Sequence, residues 1–360
     1  MFSKLPLRQP PKEICVLRLS AIGDICHTLP VIRTLQAAWP NTRITWIIGS
    51  LEASLIGDIE GIEFITFNKS AGTKSRQKVV EQLAGRRFDV LLHMQASLRS
   101  SQISRLIKAR IKLGFDRERA KDFQWIFTNQ RIQAKPRTHV IEGLFGFAEA
   151  LGIDNRQYRW DIPLSEEDNA FAAKHCLEKT LIISPCSSQR SRNFRNWSAE
   201  NYAAVADFAA EKYGMNTVLT GGPSELEQQY GREIVDHCKT ATPTNLIGNT
   251  NLKQLLALIE QSTAVLAPDS GPIHMATAVN TPAIGLFAGS NPERTGPARD
   301  QRWLVNYYPE AAENEFKKPV PQIAWGRRVR DPLVMSLIPL TAVCEKLTAV
   351  MSHTEESSAA

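Results

Sequence analysis

Short β-branched runs alternate with longer amphipathic ones along this chain, the pattern of a parallel α/β sheet with crossover helices on its faces. Residues 13–19 (EICVLRL) form the first expected strand. Pro30 suits the first turn of a helix running to about Trp39, with Val31, Leu35 and Ala38 on one face. Strands over 43–48, 63–67, 88–93 and 111–114 then alternate with helices around 51–57, 74–86, 99–108 and 139–151, the last closed by Gly152. The polar stretch 152–165 reads as a linker. Ser165 followed by Glu166, Glu167 and Asp168 starts a new helix, because carboxylates in a first turn oppose the helix dipole. The rhythm restarts there, with strands over 180–184, 215–220, 244–247, 263–267 and 282–287 and helices over 199–213, 224–237, 252–261 and 272–279. Residues 288–332, rich in Pro, Gly and Arg, read as irregular. An amphipathic helix over about 336–351 follows, and 353–360 reads as a disordered tail. The expectation is one doubly wound domain followed by another.

Length agrees, since 360 residues exceed one typical core. With 43% hydrophobic and 22% charged residues, wholesale disorder is excluded. No apolar run approaches the ~18 residues a spanning helix needs, and residues 1–12 lack the apolar stretch of a secretory leader. Six cysteines without a C-x-x-C pair argue for a reducing compartment, so a cytoplasmic location is expected. Charge adds a sharper point. The net value is +6, yet residues 69–137 hold 17 Lys/Arg against 5 Asp/Glu. Such a segment is either a solvated basic face or the seat of an anionic partner: nucleic acid, a phosphorylated substrate or an acidic membrane surface.

In open parallel sheets ligands sit beyond the carboxyl ends of strands, so four post-strand loops are the candidates. The first is Ser20-Ala21-Ile22-Gly23-Asp24, where Gly23 permits close backbone approach and Asp24 either projects toward a ligand or caps the following helix. His27 is either a core histidine or a partner of Asp24. The second is Asp269-Ser270-Gly271-Pro272-Ile273-His274. It reads as a capped helix start whose N–H groups suit a phosphate, with His274 one turn in as a further donor or as a packed core residue. The third holds Ser187 and Ser188, followed by Arg190, Arg192 and Arg195, whose planar forks suit phosphate oxygens. The fourth, Gly221-Gly222-Pro223-Ser224-Glu225, fits a turn passing a ribose with Glu225 accepting from hydroxyls, or a plain turn and cap. No G-x-G-x-x-G, P-loop, H-E-x-x-H, G-x-S-x-G or D-x-D motif is present.

Two of these loops bring a family into view. L-S-A-I-G-D-I-C-H-T-L-P over 19–30 resembles the N-terminal signature of the ADP-heptose–lipopolysaccharide heptosyltransferases, glycosyltransferase family 9. D-S-G-P-I-H-M-A-T-A over 269–278 resembles their C-terminal D-[ST]-G-x-x-H signature. The likeness extends from about residue 13 to 290 and is strongest to the heptosyltransferase I type. It implies a GT-B fold: two Rossmann-like domains facing a central cleft, with an acceptor-binding domain over 1–160 and a nucleotide-sugar-binding domain over 161–335. A helix over 336–352 would pack back on the first domain.

The resemblance also implies an inverting, metal-independent transfer without cofactors, from ADP-L-glycero-D-manno-heptose to Kdo of lipid A. Asp24 matches the family's general base. Gly23, Ser187, Ser188, Asp269, Ser270, Gly271 and His274 match donor-site positions, and Glu225 matches the ribose-binding carboxylate. Arg195 falls where many members have Lys before the same Trp, keeping the charge. Arg99 and Lys121 fall near basic positions used for the acceptor's phosphates. The implied partners are ADP-heptose, Kdo-lipid A and the cytoplasmic face of the inner membrane, held peripherally, with no nucleic acid. The alternatives are a nucleotide-sugar epimerase on the same architecture and a non-catalytic nucleic-acid-binding protein.

Overall fold

The computed structural model describes residues 5–187 and 193–359. The chain divides into two compact units, Met1–Pro163 and Leu164–Ala360. The first runs β1 (Glu13–Leu17), α1 (Ile22–Ala38), β2 (Arg43–Gly49), α2 (Ser50–Ile56), β3 (Ile62–Phe67), α3 (Gly72–Gln82), β4 (Phe88–His93), α4 (Leu98–Ser104), β5 (Ala109–Gly114), β6 (Gln130–Arg131) and α5 (Val140–Leu151). Its six strands lie in the order β3-β2-β1-β4-β5-β6, every neighbouring pair parallel. Because helices cover both faces, the central strands are apolar on both sides: Ile14, Val16, Ile47 and Leu91 are all fully buried. The winding reverses between β1 and β4, which opens a crevice at their carboxyl ends. Gly152 closes α5 at φ +98°, a conformation that a side chain would strain.

Helix α1 starts eight residues before Pro30, not at it. Pro30 therefore lies inside the helix and offers no N–H to the carbonyl of Cys26, four residues earlier. That carbonyl accepts from Trp160 Nε1 at 2.7 Å instead, so the proline frees an acceptor that ties the end of the unit to α1.

The second unit runs α6 (Glu166–His175), β7 (Thr180–Ile183), α7 (Ala199–Tyr213), β8 (Asn216–Leu219), α8 (Glu225–His237), β9 (Thr244–Asn245), α9 (Leu252–Glu260), β10 (Ala264–Pro268), α10 (Gly271–Ala278), β11 (Ala283–Phe287), α11 (Pro292–Thr295), β12 (Val305–Asn306), α12 (Tyr308–Phe316) and α13 (Leu340–Ala359). The strand order β12-β11-β10-β7-β8-β9 repeats the winding of the first unit, with the reversal between β7 and β10. Each unit is thus a Rossmann-like α/β fold.

Three expectations are corrected here. The stretch 288–332 contains α11, β12 and α12, and Tyr308, Ala311 and Ala312 form a buried helical stripe that flanking prolines obscured. The C-terminal helix belongs to the second unit. Its stripe of Val343, Leu347, Val350 and Met351 joins the core of that unit beside Ile284, Leu286, Trp303 and Val305, and it lies on α7, β11 and β12. Nor does the chain become irregular after 352, since α13 continues to Ala359. Among the described residues no helix is long and apolar enough to cross a membrane, and all six cysteines are free thiols.

Candidate active site

Residues 18–24 turn from β1 into α1 beside the first reversal. Arg18 is buried and spans the crevice there. Its Nη1 donates to the Met94 carbonyl beyond β4 at 2.5 Å, its Nε to the Ser20 carbonyl at 3.2 Å, and its Nη2 pairs with Asp24 Oδ1 at 2.6 Å. The Leu19 N–H donates to Gln95 Oε1 at 2.7 Å, so the segment following β4 holds the loop at two points. Asp24 Oδ2 accepts from the Ala21 N–H at 3.1 Å. Gly23 and Asp24 are the second and third residues of α1, and Asp24 reaches back from there to cap the Ala21 N–H at the helix start. Its side chain is still 44% exposed, so capping leaves it reachable. His27 is buried, with its ring edge-on to His139 at 5.2 Å.

A second carboxyl, which motif reasoning missed, lies close by. Glu52, in the first turn of α2, is buried, and burial pushes its pKa up; Lys69 at 3.7 Å opposes the rise and the charge of Asp24 adds to it. A Cβ at Gly49 would stand 2.1 Å from Glu52 Oε2, so that glycine is what makes room for the carboxyl. Arg99 lies in the first turn of α4 and Lys121 beyond β5, both exposed. The two segments meet where the Leu98 N–H donates to Asp122 Oδ2 at 3.1 Å.

In the second unit the loops after β7 and β10 meet at the other reversal. Arg195 Nη1 donates to both the carbonyl and Oδ2 of Asp269 at 2.7 Å, and its Nε donates to Asn193 Oδ1 at 2.6 Å. Ser290 Oγ donates to the same Asp269 oxygen at 2.6 Å. Asn193 Nδ2 donates to Ser187 Oγ at 2.7 Å, and the Ser187 N–H and hydroxyl both donate to Asn196 Oδ1. Ser187, Arg195 and Asp269 thus share one network, with Asn193, Asn196 and Ser290 as unanticipated members. Ser188 lies outside the described residues, as do Arg190 and Arg192.

Ser270 precedes α10, but its hydroxyl donates to the Pro268 carbonyl at 3.0 Å and no side chain caps the helix. First-turn N–H donors are orphaned by helix geometry, so this start, opening with Gly271, can accept an external oxyanion. His274 is buried in that turn. Glu225 opens α8 with its side chain exposed. The carboxylate that folds into the glycine loop is Glu227, which accepts from the Gly222 N–H at 2.8 Å and the Ser224 hydroxyl at 2.6 Å. Burial and then the Glu227 charge push the Cys186 thiol up to about 12. Arg328, from the stretch expected to be irregular, is half-buried. Burial and then Arg195 lower its pKa, Asp269 opposes them, and Arg330 and Arg294 add to the fall. Several cations surround one already-paired carboxylate, a local surplus of positive charge suited to an anion. Among the described residues no three His, Cys, Asp or Glu side chains converge as metal ligands do.

The family model described as glycosyltransferase family 9 (heptosyltransferase) matches residues 76–324. Over 337 residues the chain is 39% identical to the lipopolysaccharide core heptosyltransferase OpsX of Haemophilus influenzae, covering 93% of this chain and 96% of that one. A glycosyltransferase family 9 structure from Veillonella parvula shares the fold at a TM-score of 0.75 and 22% identity, covering 95% and 97% of the two chains. The E. coli heptosyltransferase WaaC solved with ADP does so at 0.71 and 17%, covering 94% and 99%. Two six-stranded parallel sheets, each with a Rossmann winding, match the GT-B fold of the solved heptosyltransferases. The chain belongs to glycosyltransferase family 9, the heptosyltransferases.

Proposed function

We propose that this enzyme moves heptose from ADP-L-glycero-D-manno-heptose to Kdo of lipid A in lipopolysaccharide inner-core synthesis, the reaction of the heptosyltransferase I type. The transfer inverts the anomeric centre and uses no metal or other cofactor. It takes place in the cytoplasm, on a protein held peripherally at the inner membrane and free of nucleic acid. What carries the reading is the state of Asp24: a carboxylate oriented by Arg18 and the Ala21 N–H yet still open to a ligand, at the winding reversal where open α/β sheets bind substrates. An inverting transfer needs one such carboxylate to take the acceptor hydroxyl's proton as that oxygen attacks the anomeric carbon.

The departing diphosphate needs fixed positive partners. The start of α10, the Ser187 and Ser270 hydroxyls, His274, Arg195 and Arg328 supply donors for it in the second unit, and Glu225 accepts from a ribose. On the first unit, Arg99 and Lys121 meet the acceptor's carboxylates and phosphates. The relationship to a lipopolysaccharide core heptosyltransferase supports this choice of donor and acceptor.

The test is a donor screen with ADP-, UDP- and GDP-sugars and Kdo-lipid A, read by the mass of the acceptor, with and without a chelator. Heptose added from the ADP sugar alone, undiminished by the chelator, is expected. Transfer from another nucleotide sugar, or no transfer to Kdo-lipid A, would overturn the assignment.

A further inference from the structure

The 122–126 turn, beyond β5 in the first unit, exposes apolar side chains on a backbone that is not free to fold them away. Gln124 is fully buried: its Nε2 donates to the His93 and Gln95 carbonyls at 2.8 and 3.3 Å, and its Oε1 accepts from the Phe115 N–H at 3.1 Å. Its neighbours point the other way, with Phe123 63%, Trp125 48% and Ile126 60% exposed. Asp122 and Phe123 sit at φ +51° and +57°, a left-handed conformation costly for a bulky residue, so surrounding contacts must hold the turn in place. Leu98, 53% exposed, adjoins it through the Leu98 N–H to Asp122 Oδ2 bond. Four large exposed apolar residues on two joined segments exceed the scatter of single ones that a soluble surface tolerates.

Charge chooses the occupant. Arg99, Arg117 and Lys121 are exposed on the same segments and form no ion pair among the described residues, within the stretch that carries 17 Lys/Arg against 5 Asp/Glu. Exposed aromatic and aliphatic side chains flanked along the chain by cations fit the headgroup zone of an anionic bilayer, where a Trp ring lies at the interface and each nearby Lys or Arg adds attraction. We propose that the 122–126 turn, with Leu98, inserts into the anionic leaflet, that Arg117 binds its headgroups, and that Arg99 and Lys121 meet the phosphates of the lipid-linked acceptor in that same leaflet. Gln95 links this patch to the Asp24 loop, because its carbonyl accepts from Gln124 while its Oε1 accepts from the Leu19 N–H. The insertion therefore brings the carboxylate's end of the sheet to the membrane, where a lipid-linked acceptor is held. That benefit rests on the proposed acceptor; the binding itself does not.

The experiment measures co-sedimentation of the full chain with phosphatidylcholine vesicles containing one-quarter phosphatidylglycerol, and with vesicles of phosphatidylcholine alone. The wild type is expected to bind the anionic vesicles, with Trp125 emission shifted to the blue and quenched by brominated acyl chains; the Trp125→Phe protein identifies that signal. The triple substitution Phe123→Ser, Trp125→Ser and Ile126→Ser should lower the partition coefficient at least ~tenfold at an unchanged melting temperature. Its turnover on a soluble, acyl-free acceptor should match the wild type, which keeps a failure of the docking surface distinct from a failure of the heptosyl-transfer reading. Absence of wild-type binding, undiminished binding by the triple variant, or an unquenched Trp125 would overturn the proposal. So would a wild-type dimer in solution that the triple substitution makes monomeric.

Discussion

Asp24→Asn keeps the size of the side chain and most of its hydrogen bonding but removes its capacity to take a proton. Turnover should then fall by roughly the 10²–10⁴-fold typical of a lost acid–base group. Donor affinity should stay near wild type, because the proposed side-chain contacts to ADP belong to the second unit and the backbone at Gly23 is left unchanged. Asn serves a helix start about as well as Asp, so near-normal turnover with both substrates saturating would reduce Asp24 to the cap it also provides. Asp24 was legible from the loop that bears it. Arg18 was not, since an arginine ending a strand carries no motif, and its value comes from reaching Met94 and Asp24 together. The same holds for Asn193, Asn196 and Ser290, ordinary loop residues until the fold brings them to Ser187 and Asp269.

Periodicity placed most of the elements, because a buried stripe at helical spacing or an apolar run between turns is a local signal. It failed where local signals compete. In α12, Pro309 near the start and the prolines that follow outweigh three buried positions. At the start of α1, the Pro30 cue was read as a beginning, although a proline is tolerated deep in a helix when its missing N–H releases a carbonyl to another donor, here Trp160. Helix α13 shows the other limit: its stripe announced that it packs, not on what. Leu347 is fully buried in the core of the second unit. Leu347→Ala should cost about 2–5 kcal/mol in urea unfolding, as large-to-small core substitutions do, with Ser352→Ala on the exposed side near zero. An equal effect of the two would remove α13 from that core.

Across the whole molecule the two units repeat one winding but differ in charge and in chemistry. The first carries the basic stretch, the exposed apolar turn and Asp24. The second carries the helix start, hydroxyls and arginines proposed to hold the donor's diphosphate. Charge reversal at Arg99 or Lys121 should therefore raise the KM for the acceptor far more than that for the donor, measured by varying each substrate with the other saturating. Equal damage to both constants would point to misfolding, and no effect to a plain solvated face. Net charge alone said little here; +6 conceals a surplus confined to one part of one unit.

By itself the sequence determined the class of fold, the division into two units and the family. Each of these depends on short-range pattern: strand and helix periodicity, and glycine, proline and carboxylate at fixed offsets. Only the tertiary structure decided which side chains meet. Arg195 and Asp269 stand 74 positions apart, and Arg18 and Met94 76 apart. Each pair is joined because the strand order sets β7 beside β10 and β1 beside β4. No local window contains that order, and the covering of the second sheet by α13 was hidden for the same reason: an amphipathic stripe is complementary to any apolar face, and topology alone chooses among them.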